Sequence, residues 1–240
     1  NPSLRNWVLA VSVPMPSLRD SSLRIASKYG NTDFGPWEWG GTMNFHEIIQ
    51  NSKNGELRIK AIPEVLDYFS KEIELKKETL YNCKMVQAQD GVSVESDTLG
   101  ALLYPLEGDT FALDMVIKPE RYHEFGIALH VDKELETGYF LRMNPKNQLV
   151  AWDMWPRGEQ GRYQWQIKGD VPYQIETARK LPKAEEYRVH IIKEKDICVV
   201  YINDEIVLST RMYNHKDGYA GIYVVQGNVK LIQYKEKRSE

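Results

Sequence analysis

Cysteine is nearly absent. Cys83 and Cys198 are the only two, and neither falls in a Cys-x-x-Cys pair; no His-x-x-x-His occurs either, so no metal site has support and no metal or cofactor is expected. Both lie in apolar, strand-like runs and read as buried free thiols, with a single bridge between them left open. Excess charge of either sign is also missing. A net charge of −3 provides no field that would gather nucleic acid or anionic lipid, so neither partner is expected. No apolar run approaches membrane-spanning length, and no basic-then-apolar leader stands at the start, so no membrane association is expected. With the want of a disulfide framework, this leans the expectation towards a cytoplasmic home. Repeats and low-complexity tracts are absent too, which leaves an ordinary globular chain long enough to bury a core.

What is present is strand after strand. Phe111, Leu113, Met115 and Ile117 alternate with Ala112, Asp114, Val116 and Lys118, and this period of two puts the odd residues in a core. Further strands are expected at Phe125 to Val131, Tyr139 to Met143, Leu149 to Trp155 and, from Glu185 onwards, in a meander. Tyr187 to Ile192, Ile197 to Ile202 and Ile206 to Met212 form that meander, with Asn203-Asp204 as a tight reversal and Ala220 to Val225 as the next strand. Val199 and Tyr201 are expected in the core with the Phe111 to Ile117 set. One helix is expected: Pro63 opens it, and Val65, Leu66, Phe69 and Ile73 recur at helical spacing through Lys77. The charged tail from Tyr234 to Glu240 is expected to fray.

These spacings predict a mainly β protein: an antiparallel two-sheet β-sandwich of concanavalin or jelly-roll type, preceded by a few blade-like strands and one connector helix. The expected division is residues 1–62 as a leading β segment, 63–78 as the connector helix and 79–240 as the sandwich. Residues Trp7 to Ile62 are expected to pack on the sandwich, because orphaned strands cannot shield their own edges.

Two resemblances sharpen this. The segment Glu185 to Val225, a strand ending Tyr-Ile-Asn-Asp, a hairpin, and then Gly-Tyr-Ala-Gly-Ile-Tyr, resembles the late strands of concanavalin-like sandwiches, which bind sugars or accompany enzymes that cut them. The second lies upstream. Trp37 to Met43 (W-x-W-G-G-T-M), His46-Glu47-Ile48 and the stretch Asn54 to Phe69 together resemble the junction in glycoside hydrolase family 32. In that family of β-fructosidases the last blade of a five-bladed propeller leads through a helix into a C-terminal β-sandwich. His46-Glu47-Ile48 stands where the family usually has Pro-Arg-Glu-Leu. The resemblance implies a propeller catalytic domain of the same parent protein as partner, and fructosides of the sucrose or fructan type as its substrates.

The family's acidic motifs, Asn-Asp-Pro, Arg-Asp-Pro and Glu-Cys, do not occur; Arg19-Asp20 is followed by Ser21. Two flanking carboxyl groups are what such hydrolysis requires, so no residue is assigned a catalytic role and the chain is expected to be inactive alone. The candidate carbohydrate-binding residues are Trp152, Asp153, Trp155, Tyr163 and Trp165, since aromatic faces stack on sugar rings and a carboxylate accepts hydroxyl hydrogen bonds. Each tryptophan has a second reading. Trp152 shares a strand face with Val150 and Met154, and Trp155 and Trp165 can pack across a sheet. Trp37, Glu38, Trp39 and His46 form a second cluster at the domain boundary, expected to seal an interface rather than rim a cleft.

Overall fold

The computed structural model describes Asp33 and residues 44–52, 54–155 and 178–239. β1 (Glu47–Gln50) and β2 (Leu57–Lys60) form a hairpin around Asn54-Gly55, and α1 (Pro63–Tyr68) follows. The helix is far shorter than its apolar spacing predicts. Phe69 leaves helical geometry at the C-cap and is buried, and the chain then extends as β3 (Lys71–Ile73), whose backbone pairs with Glu236 to Arg238. Pairing to a sheet here outweighs local helix preference.

β4 (Thr79–Tyr81) and β5 (Lys84–Ala88) precede a strand of 16 residues, β6 (Gly91–Leu106). Then come β7 (Thr110–Arg121), β8 (Glu124–Val131), β9 (Gly138–Asn144) and β10 (Leu149–Trp155). The meander supplies β11 (Tyr187–Glu194), β12 (Ile197–Ile202) and β13 (Ile206–Arg211). Asn203 and Asp204 both take positive φ between the last two, as a tight hairpin requires, and the Asn203 carboxamide oxygen also accepts the Arg188 N–H at 2.8 Å. The last strand, β14 (Gly218–Arg238), is 21 residues long. It carries the tail that composition predicts to fray: Tyr234 to Lys237 pair with β7, so those residues are tied into the sheet.

β6 runs antiparallel to Gly218 through Leu231 of β14 along almost its whole length, and both strands belong to both layers of the sandwich. In one layer their paired halves continue through β8, β9 and β10, with β4 beyond β6. In the other, β14 continues through β7, β11, β12 and β13, with β5 beyond β6. The bend between the halves is a bulge at Gln226. Gly227 follows it, and a Cβ there would lie 1.8 Å from the Arg121 carbonyl oxygen, so only glycine lets β14 approach β7 this closely.

The core fills the space between the layers. Phe111, Leu113, Met115 and Ile117 lie in it as the alternation predicts, and Phe125 meets Tyr187 across the layers at 5.8 Å between ring centroids. Val199 and Tyr201 are also buried, but on the opposite face of their strand, in a satellite cluster with Ala61, Phe69, Ala112 and Ile192. The β1–β2 hairpin and α1 cover that outer face of the second layer, and Arg58 reaches Glu205 at 3.1 Å beside it. The two cysteines do not form a disulfide; Cys198 is buried and Cys83 half-buried. No helix among the described residues is long and apolar enough to cross a membrane.

His130 sits at a bulge in β8, buried edge-on against Phe111. Burial, reinforced by the nearby Lys193 ammonium, lowers its imidazole from 6.5 to about 3. The native state therefore refuses a proton that the unfolded chain accepts below its ordinary value, so stability is full above pH 6.5 and falls as pH drops towards 3. In urea titrations this group alone should remove up to about 2 kcal/mol between neutral pH and pH 5. His130 takes a positive φ of 51°, which Asn tolerates, so His130→Asn should flatten that slope; a slope equal to that of the unaltered chain would show that His130 does not carry it.

Candidate functional site

The outer face of the layer containing β8, β9 and β10 carries a buried charged group in an apolar setting. Along β9, Tyr139, Leu141 and Met143 point into the core, so Phe140, Arg142 and Asn144 point out. Along β10 the same alternation sends Val150, Trp152 and Met154 inward and Ala151, Asp153 and Trp155 outward. Register then assembles the site: Arg142 stands opposite Ala151 on one side and Gly126 on the other, Asp153 stands opposite Phe140, and Gly126 faces Tyr223 of β14.

Arg142 grips Glu124 in two-pronged fashion, with Nε 3.0 Å from both carboxylate oxygens and Nη2 2.5 Å from Oε2. Its Nη1 lies 3.5 Å from Asp153 Oδ2. Tyr223 donates its hydroxyl to Glu124 Oε1 at 3.1 Å. Burial drives the Tyr223 phenol well above its usual range and the adjacent Glu124 carboxylate adds to this, so the hydroxyl stays a donor at any physiological pH. The three charged side chains keep only about a tenth of their surface open, 11% for Arg142, 13% for Glu124 and 10% for Asp153. Geometry this fixed, in surroundings this apolar, makes each group a strong and directional hydrogen-bonding partner.

Gly126 makes the arrangement possible. A Cβ at this position would fall 2.0 Å from the Leu141 carbonyl oxygen and 2.9 Å from Tyr223 Oη, so the bare backbone of β8 gives the tyrosine its path to Glu124. Aromatic surface borders the group. Phe140 meets the Tyr223 ring edge-on at 5.8 Å, and Trp155, 43% exposed, lies further along the face.

The residues singled out from sequence divide here. Asp153 is in the charged group and Trp155 beside it. Trp152 is corrected: it has no exposed surface and lies in the core with Val150 and Met154, so its indole cannot meet a ligand. Tyr163, Trp165, Trp37, Glu38 and Trp39 lie outside the described residues. His46 is on the far side of the molecule, buried, with Nδ1 2.8 Å from Tyr201 Oη. Its contact ties the chain just ahead of β1 to β12 of the second layer. Glu124, Arg142 and Tyr223 were not singled out; the signal available was a charge in mid-strand at Arg142, flanked by apolar neighbours.

A second charged group occupies the outer face of the other layer. Asp114 is 2.6 Å from His190 Nδ1 and 2.5 Å from Lys237 Nζ. Burial pushes its carboxyl up, but the His190 and Lys237 contacts outweigh this and hold it below the usual range. His190 stands opposite the buried Tyr201 of β12, and the triad reads as an ion cluster tying β7, β11 and β14 together. Among the described residues no three His, Cys, Asp or Glu side chains converge as metal ligands would.

Comparison with known proteins bears on the fold. No protein-family model and no curated protein matches this sequence. Solved structures do. The carbohydrate-binding module CBM66 from Bacillus subtilis aligns over 68% of this chain and 97% of its own, at 16% identity and a TM-score of 0.56. The exoplasmic domain of VIP36, solved with Ca2+ and Man3GlcNAc, aligns over 70% of this chain and 91% of its own, at 10% identity and a TM-score of 0.50. An exo-inulinase from Aspergillus awamori aligns over 82% of this chain and 35% of its own, at 11% identity and a TM-score of 0.49, too loose a likeness to use. At these identities the likeness establishes a shared β-sandwich fold and nothing finer.

Removing the arginine should expose how much the group depends on it. Arg142→Ala would leave Glu124 and Asp153 buried without their common cation, at a cost of about 3–5 kcal/mol in urea unfolding, whereas Tyr223→Phe should cost only about 1 kcal/mol. A change under about 0.5 kcal/mol for Arg142→Ala would mean the charges are effectively solvated.

Proposed function

We propose that this chain is a non-catalytic carbohydrate-binding β-sandwich, and that Glu124, Arg142 and Asp153 hold the hydroxyl groups of a sugar residue on its outer face. The observation that carries the reading is the fixed Glu124–Arg142–Asp153 group set beside exposed aromatic surface. A sugar presents vicinal hydroxyls that both donate and accept, together with apolar ring faces. Carboxylates and a guanidinium, held rigid by Tyr223 and bordered by Phe140 and Trp155, match both features. Two neighbours of the same fold are a carbohydrate-binding module and a domain solved with an oligosaccharide, which supports the class of ligand.

The finer reading follows the sequence resemblance at Trp37 to Phe69: a module of a family 32-like glycoside hydrolase, contacting fructosides and steadying a propeller catalytic domain, with residues 1–62, 63–78 and 79–240 as its segments. An independent binding module of concanavalin-like fold is the alternative, favoured by the comparison that spans 97% of a separately solved module.

Calorimetric titration with fructose, sucrose, inulin and levan tests the site. Asp153→Asn, close in shape to the original, and Arg142→Lys, which keeps the charge but not the planar fork, should each weaken binding by about tenfold or more, because hydrogen bonds to charged groups are lost or misdirected. Affinity unchanged in both variants would remove the site from consideration. Assayed against sucrose, inulin and levan, the chain should show no turnover above background; hydrolysis that disappeared on mutating Asp20, Asp114 or Asp153 would show that an active site had been missed.

A further inference from the structure

Next to the charged group lies a cleft of about 310 Å3 lined by Tyr122, His123, Asn144, Lys146, Asn147 and Gln226. This volume is at the lower end for ligand pockets, roughly 300–1,000 Å3. It shares no lining residue with the charged group and adjoins it through the pairing of β8 with β9. Phe125 pairs with Met143, so one residue further along, Glu124 and Asn144 come side by side on the outer face, at the separation of neighbouring cross-strand side chains, about 5 Å between Cβ atoms. Gln226 follows Val225, which pairs with Glu124 from the other side.

Three features make the cleft a formed surface rather than a gap between loops. Tyr122 is fixed from one side by Phe125, edge-on at 4.9 Å, and from the other by the Lys146 ammonium, 4.4 Å from its ring centroid and hydrogen-bonded to its carbonyl oxygen. Asn144 is held between two backbone groups, donating to the His123 carbonyl at 3.4 Å and accepting the Asn147 N–H at 3.2 Å. Gln226 is the bulge residue of β14, in left-handed conformation with φ +49, and bulges re-aim side chains at the expense of regular pairing.

We infer that this cleft is the subsite for the second residue of a neutral oligosaccharide whose terminal residue occupies the Glu124–Arg142–Asp153 group, an inference that rests on the sugar-binding reading of that face. Carboxamides donate and accept at once, as sugar hydroxyls do, and the cleft offers three of them, Asn144, Asn147 and Gln226. The Lys146 cation is already engaged by the Tyr122 ring and carbonyl, so the lining does not call for an anionic sugar. The ligand is thus a chain end at least two residues long, and the cleft supplies preference for chain over monosaccharide.

Calorimetry with fructose and with short levan- and inulin-derived oligosaccharides reads this directly. The unaltered chain should bind an oligosaccharide about tenfold more tightly than fructose, the increment expected of two or three added hydrogen bonds. Asn144→Ala should bring that ratio close to one. Since Asn144 also braces the β9–β10 turn, the double variant Lys146→Ala/Gln226→Ala, at two exposed positions, is the parallel test and should do the same. Arg142-dependent binding with no advantage for oligosaccharides, or with the ratio unchanged in both variants, would overturn the subsite alone. Failure of the unaltered chain to bind any of these sugars would overturn the sugar-binding reading and the subsite with it.

Discussion

Everything in this fold hangs on the pairing of β6 with β14. Because the two strands run together from Val92 and Leu231 to Leu106 and Gly218, each takes part in both layers, and the sandwich is one continuous hydrogen-bonded system rather than two sheets held only by their side chains. β14 also pairs with β3, β7 and β8, so its backbone groups find partners on both sides along most of its length. A strand so thoroughly paired leaves little freedom in register, since a slip of one residue would turn its whole apolar set outward.

That constraint places the candidate site. Tyr223 reaches Glu124 only because β14 and β8 are in a register that sets it opposite Gly126, and Arg142 meets both carboxylates only because β9 lies between β8 and β10. The bulge that bends β14 from one layer to the other also turns Gln226 towards the adjoining cleft. One irregularity thus bends the sandwich and shapes the edge of its polar face, in keeping with the frequency of bulges beside binding sites.

Sequence pattern made the sandwich legible because alternation along a half-buried strand is a local property. The Phe111 to Ile117 strand and the Asn203-Asp204 hairpin appear as their residues dictate. What failed depended on distant partners. The expected helix to Lys77 ends after Tyr68 because β14 offers Lys71 to Ile73 a backbone to pair with, and the charged tail is ordered because β7 does the same for Tyr234 to Lys237. The site was half-legible for a related reason. Aromatic density points to β10, where Asp153 and Trp155 lie on the outer face but Trp152 does not, its face being fixed by a core that alternation alone could not label. Glu124, Arg142 and Tyr223 are 99 residues apart in sequence at their extremes, and only register brings them together.

The claim at the centre of this account is that the outer face of β8, β9, β10 and β14 receives a sugar. An amide-resolved NMR titration with a levan-derived oligosaccharide tests it most directly, because it reports where the ligand sits without altering any residue. The account predicts shifts concentrated at Glu124, Gly126, Arg142, Asp153 and Tyr223 and continuing to Asn144 and Gln226. Perturbations confined to the opposite face, around Asp114, His190 and Lys237, would contradict it.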